Sequence, residues 1–128
     1  MHLSAGERVL QFVQQRVGTS LHGVGAYDMD SFSILYRSDE IERAFSDTEI
    51  DEYAELVRTV HRTLYEADRL NSAVGEPRCN LTYYGGMHVL LVPIDEENGV
   101  TIALSKESGT QFSEFADECL RRARAQVE

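Results

Sequence analysis

Apolar and polar residues alternate most clearly between Arg78 and Ser105, where RCNLTYY, MHVLLVP and VTIALS read as strands of an antiparallel meander. Gly85-Gly86 separates the first two runs and suits a tight connection with positive φ; the polar stretch Asp95 to Gly99 separates the second from the third. Val89-Leu90-Leu91-Val92 is apolar on both faces, as a central strand covered by helices would be, and Pro93 closes it because proline has no amide to give to a ladder. Ile102 and Leu104 alternate with Thr101 and Ala103, so the last strand is expected to be less covered on one side. A second hairpin is expected upstream, with LHGVGAY (Leu21 to Tyr27) turning through Asp28-Met29-Asp30 into SFSILYR, where Phe32, Ile34 and Tyr36 share a face. Gly23 and Gly25 lie on one face of the first of these strands and imply a closely packed helix or a bulge.

The remaining apolar residues recur at helical spacing. Ser4-Ala5-Gly6-Glu7 has the form of a capping box, predicting a helix that starts at Ser4, carries Val9, Leu10, Phe12, Val13 and Val17 on one face, and ends at Gly18. Ser38 is a candidate N-cap for a short acidic helix through Phe45. Ser46-Asp47-Thr48-Glu49 is a second capping box and opens the longest helix, expected to run to about Leu70. Its stripe is Ile50, Tyr53, Val57, Val60, Leu64 and Tyr65, with Leu56 beside it and His61 placed on the flank. Glu55 with Arg58 and Glu66 with Arg69 are i,i+3 pairs on this helix. Asn71 to Pro77 reads as a loop, and Ser108 to Gln111 as a third cap. The final helix carries Phe112, Phe115, Ala116, Cys119 and Ala123 on its apolar face, with Arg121, Arg122 and Arg124 at its C-terminal end.

The order is therefore helix, two strands, helix, three strands, helix. It predicts an α+β fold in which a hairpin and a meander form a five-stranded antiparallel sheet with helices packed on it. The 128 residues fit one domain, 1–128.

Charge narrows the setting. Acidic residues number 22 against 12 basic ones, a formal charge of −10, and Lys106 is the sole lysine beside eleven arginines. Like charges at this density repel in ordinary salt, whereas in molar salt the Debye length falls to about 3 Å and screens them. The composition points to a protein of a salty cytoplasm. With no basic run, it is a poor fit to a nucleic-acid backbone, whose affinity comes from Lys and Arg clusters. No apolar stretch reaches the roughly 18 residues of a membrane span, and MHLSAGERVL lacks the pattern of a signal peptide, so a cytoplasmic location without direct membrane insertion is expected.

Candidate chemistry is sparse. His2, His22, His61 and His88 have no ligand partner at helical or strand spacing, which argues against a metal site. Asp28 and Asp30 bracket Met29 as general acid/base chemistry would allow, but a turn favours Asp for its own backbone hydrogen bonds. Together with His22 they are the slender case for an enzyme; no nucleophile or phosphate-loop motif occurs, and the expectation is no catalysis and no cofactor. Cys79 and Cys119 form neither a CxxC pair nor a disulfide framework and read as buried thiols, neighbours if the meander's first strand packs under the last helix. Tyr27, Tyr36, Tyr83 and Tyr84 could line the core or an exposed interface. If a face or edge is open, these rings with Arg37 and Arg78 are the interface candidates.

The order of elements resembles that of roadblock/dynein light chain proteins and, more loosely, profilin-like and longin-like domains. GVGAYDMDSFSILYRS (Gly23 to Ser38) resembles the roadblock hairpin, with Ser31 where that family usually has Gly, and YYGGMHVLLVPIDEENGVTIALS resembles its later meander. Over nearly its whole length the chain also resembles a family of small acidic haloarchaeal proteins. LYRSDEIERAFSDTEIDEYAE, VGEPRCNLTYY, GVTIALSKESG and FADECL carry that resemblance. In that pattern an Arg-Asp pair follows the second strand; here Ser38 separates Arg37 from Asp39. Neither resemblance brings a catalytic residue. Both imply a non-enzymatic interaction or regulatory module of a halophilic archaeon, homodimeric or bound to another protein through sheet edges or the long helix. The alternative is a PAS-like small-molecule sensor with a pocket between sheet and long helix, lined by Tyr36, Tyr83 and Val89.

Overall fold

A computed structural model describes residues 2–66, 73, 75, 77–106 and 111–125 of the chain. Along it run α1 (His2–Val17), β1 (Leu21–Tyr27), β2 (Phe32–Arg37), α2 (Asp39–Ala44), α3 (Asp47–Glu66), β3 (Asn80–Tyr83), β4 (Met87–Pro93), β5 (Gly99–Ser105) and α4 (Phe112–Ala123). The strands form one five-stranded sheet in the order β2-β1-β5-β4-β3, with every neighbouring pair antiparallel. This is the α+β architecture expected from the order of elements.

β4 lies inside the sheet with Val89 to Val92 buried, as its apolar faces predict, and the middle strand of the five is β5. The β1–β2 hairpin docks on the free edge of the meander, so β5 pairs with β1 on one side and β4 on the other. The last strand is covered less on one side, as its alternation predicts: Val100, Ile102 and Leu104 are fully buried, while on the other side Thr101 is buried and Ala103 and Ser105 are only partly so.

The two faces of the sheet are covered unequally. On one, Val9 and Val13 of α1 and Phe115, Cys119 and Leu120 of α4 pack on Val24, Leu90, Val92, Val100, Ile102 and Leu104. Each such side chain contributes about 1.5–3 kcal/mol by leaving water, which makes this layer the main core. On the other face a smaller cluster gathers Tyr27, Val57 and Leu91, with Phe32, Tyr53, Val60 and Leu64 against it. There α3 lies over one end of the strands, and the other end is left to the short α2.

Local chemistry explains most boundaries. Ser38 Oγ accepts from the Ile41 amide at 3.3 Å and caps α2. The Ser46–Glu49 box is complete: the Ser46 amide donates to Glu49 Oε1 at 3.0 Å and the Glu49 amide to Ser46 Oγ at 3.2 Å. In the β1–β2 turn the Asp28 carboxylate accepts from the Asp30 and Ser31 amides at 2.8 and 2.7 Å, which is the turn-forming role of aspartate. Gly18, at φ 55, stops α1 as only glycine does without strain.

Four local expectations change. First, Ser4 is not a cap, because α1 is already helical from His2; burying Ala5 on the sheet draws the first turn into the helix. Second, Gly85-Gly86 does join β3 to β4, closed by the Tyr84 amide donating to Met87 O at 2.9 Å, but neither glycine takes a positive φ. Third, the β1–β2 pairing is irregular at Val24/Gly25, but the extra residue there is Leu35 of β2; β1 carries its own extra residue, His22, opposite β5, and no helix presses on Gly25. The Phe32 ring does, at 2.5 Å from where a Cβ would stand, so the glycine makes room for an aromatic ring. Fourth, His61 belongs to the buried face of α3 with Ala54 and Val57. At the end of α4, Arg121 and Arg122 pair with Glu118, while Arg8 from α1 donates to the Arg122 and Ala123 carbonyls at 2.9 and 3.2 Å. The continuation of the long helix to Leu70, the Glu66–Arg69 pair, most of the Asn71 to Pro77 loop and the cap at Ser108 lie outside the described residues.

Candidate interaction surface

The six interface candidates separate into three places. Tyr27 is fully buried and belongs to the core: it lies beneath α3, and its hydroxyl bonds His61 Nδ1 at 2.6 Å. It is no interface residue, because the long helix of its own chain covers it. Burial holds its phenol well above the ordinary range.

Tyr83 and Arg78 lie at the β3 side of the sheet. Tyr83 is 64% exposed and rests edge-on against His88 and Phe112, on the face covered by α1 and α4. Arg78 leads into β3 and pairs with Asp117 of α4 at 2.7 Å. β3 is an outermost strand, so one edge of its backbone faces away from the sheet.

Arg37 and Tyr84 border a third place, the end of the other face that α3 leaves uncovered; Tyr36 touches its cavity, but the extra residue Leu35 pairs it with Val24 and it packs against the main core cluster. A cavity of ≈ 60 Å³ lies there, lined by Tyr36, Arg37, Ile34, Ile41, Phe45, Tyr53, Met87 and residues of β1 and β5. It opens beside a groove of ≈ 670 Å³ between α2, α3 and the β3–β4 turn, and Ile41, Phe45, Tyr53 and Met87 line both. Tyr84 and Leu56, 41% and 45% exposed, form the outer floor of the groove, and Glu40, Glu49, Glu52 and His22 complete it. Ser46 holds the Glu49 carboxyl below its ordinary value through backbone and side-chain hydrogen bonds, so it stays charged. Desolvation pushes the Tyr53 phenol up to about 12.

The pocket expected of a sensor is not assembled as foreseen. Tyr36 lines the small cavity, Val89 is buried, and Tyr83 points to the opposite face. The cavity that Tyr36 lines, ≈ 60 Å³, is far below the roughly 300–1,000 Å³ of a ligand pocket, and the ≈ 670 Å³ groove beside it is lined by none of Tyr36, Tyr83 and Val89. Among the described residues, no three His, Cys, Asp or Glu side chains converge as a metal site would need, and no helix is long and apolar enough to cross a membrane.

Ile41, Phe45 and Met87 do not stand out as candidates in the sequence. A signal existed in the i,i+4 spacing of Ile41 and Phe45 on a helix otherwise charged, and in Leu56, an apolar residue set beside the stripe rather than on it.

This architecture, with a hairpin and a meander sharing one sheet between two helices and a long third, is that of a roadblock-like domain. Solved structures of the same fold include MglB with a tetrameric arrangement (15% identical, 95% of this chain and 89% of that one, TM-score 0.57). They also include the gliding protein MglB from Thermus thermophilus (16%, 94% and 91%, TM-score 0.55) and MglC from Myxococcus xanthus (15%, 94% and 99%, TM-score 0.50). The chain belongs to the family described as domain of unknown function DUF7522, whose model matches residues 7–124. No curated protein sequence matches it.

Proposed function

We propose that residues 1–128 act as one non-enzymatic protein interaction module that pairs with a second copy along the β3 edge. The observation that carries this reading is Tyr83, a large aromatic side chain 64% exposed on an outermost strand, with Arg78 just before the strand's other end. An open strand edge is a template for another strand, and aromatic and Arg residues are the usual anchors of such contacts. A protein of the same fold, MglB, has been solved in a tetrameric arrangement, which supports assembly here without specifying its geometry. Arg37 and Tyr84 serve a second protein on the other face. The charge of −10 and the scarcity of lysine support work in the salty cytoplasm of a halophilic archaeon.

The test is Tyr83→Asp, which sets a charge against the same charge of the partner copy. Light scattering in molar KCl is expected to show a lower mass for the variant than for the wild type at equal concentration. Equal masses for two folded proteins would remove the β3 edge from the account.

A further inference from the structure

We infer that the groove between α2, α3 and the β3–β4 turn holds a basic amphipathic segment of a partner protein, with apolar side chains on its floor and Arg or Lys against its rim. The inference rests on reading the chain as an interaction module, but it concerns a different face from the self-pairing edge.

The floor is apolar and open: Leu56 and Tyr84 are 45% and 41% exposed, with Ile41, Phe45 and Met87 behind them. The rim is acidic. Glu40 comes from α2, Glu49 and Glu52 from α3, and His22 is the sole basic side chain of the lining. Glu40 and Glu49 also suit the N-terminal turns of their helices, and Glu49 completes the capping box. Glu52 has no such local duty, and among the described residues neither it nor Glu40 has an ion-pair partner. A groove with apolar anchoring sites and carboxylates around them is the setting in which an amphipathic helix is held along one face, and Arg matches a carboxylate in two-point geometry.

The same charges decide against other occupants. A second copy would bring carboxylates against carboxylates unless it presented a different face, and a nucleic acid would bring phosphates. In strong salt the long-range field is screened within about 3 Å, so the rim acts through direct contact and the apolar floor supplies the rest.

The experiment uses the full chain in KCl at which circular dichroism shows it folded, with fluorescein-labelled synthetic peptides read by anisotropy. One peptide places Leu on one face of a helix and Arg on its flanks, a second scrambles that composition, and a third replaces each Arg by Glu. The first is expected to bind. Glu40→Gln with Glu52→Gln is expected to weaken it by about 5- to 10-fold, and Leu56→Ser by a similar factor, while Glu66→Gln, an acid of α3 outside the groove, leaves it unchanged. Equal binding of the scrambled peptide, or equal weakening by Glu66→Gln, would mean attraction to net charge alone and would overturn the inference. Light scattering on the same samples separates the two readings. A self-associating protein that ignores the Leu/Arg peptide refutes the groove and not the edge; a monomer that binds it refutes the edge and not the groove.

Discussion

The Tyr27 hydroxyl lies 2.6 Å from His61 Nδ1, and both side chains are fully buried between α3 and the sheet. His61 Nε2 lies 2.9 Å from the Glu96 carbonyl, which can only accept. The imidazole must therefore carry its proton on Nε2, leaving Nδ1 to accept from Tyr27. One neutral ring thus ties the end of β1 to the β4–β5 turn, and Tyr65 stacks on it at 5.1 Å between ring centroids.

Stability should consequently fall in acid. Desolvation lowers the His61 pKa below its ordinary 6.5, so as pH drops below that value the unfolded chain takes up a proton that the folded chain refuses. The contribution is complete above pH 6.5 and is lost as pH falls from there toward the folded-state pKa. Urea midpoints measured across this range should show a slope in the wild type that His61→Gln removes. Parallel profiles would show that His61 is not the titrating group.

Removing one hydroxyl tests the same contact from the other side. Tyr27→Phe keeps the ring but leaves Nδ1 buried without a donor, and should cost about 1–3 kcal/mol in urea denaturation. A loss well below this would mean that water or a shifted ring satisfies the histidine.

Cys79 and Cys119 lie in one apolar cluster between β3 and α4. Burial pushes the Cys79 thiol up to about 11 and raises Cys119 further. Neither forms appreciable thiolate at neutral pH. An aromatic disulfide reagent should label the buried Cys119 only as fast as the protein unfolds and the half-buried Cys79 more quickly, and rapid labelling of Cys119 in native protein would contradict this packing.

The charge excess makes salt a stabiliser. Thermal midpoints should rise as KCl is brought from low to molar concentration, because screening relieves the repulsion among the excess carboxylates. A midpoint that stays flat or falls would separate this chain from the halophilic setting proposed for it.

Much of this architecture is legible in the residues. The two hairpins and the caps at Ser38 and Ser46 follow from local chemistry, and the structure reproduces them. What local patterns miss is set by long-range packing. Runs as apolar as β4 and β5 do not disclose which lies at the centre, because that depends on where the β1–β2 hairpin docks. His61 reads as a polar flank until Tyr27 and the Glu96 carbonyl are seen to satisfy both ring nitrogens. The tyrosines form a tempting set in sequence, yet the alternation of strand faces sends Tyr83 to one side and Tyr84 to the other, while α3 covers Tyr27. The groove escapes the sequence because its floor is drawn from α2, α3 and the β3–β4 turn, whose approach no local pattern records.

The central claim is self-association, and sedimentation velocity of the wild-type protein over a wide concentration range in molar KCl tests it most directly. The account predicts a weight-average mass that rises with concentration toward at least twice that of one 14.4 kDa chain, and a protein that remains a monomer at every concentration would contradict it.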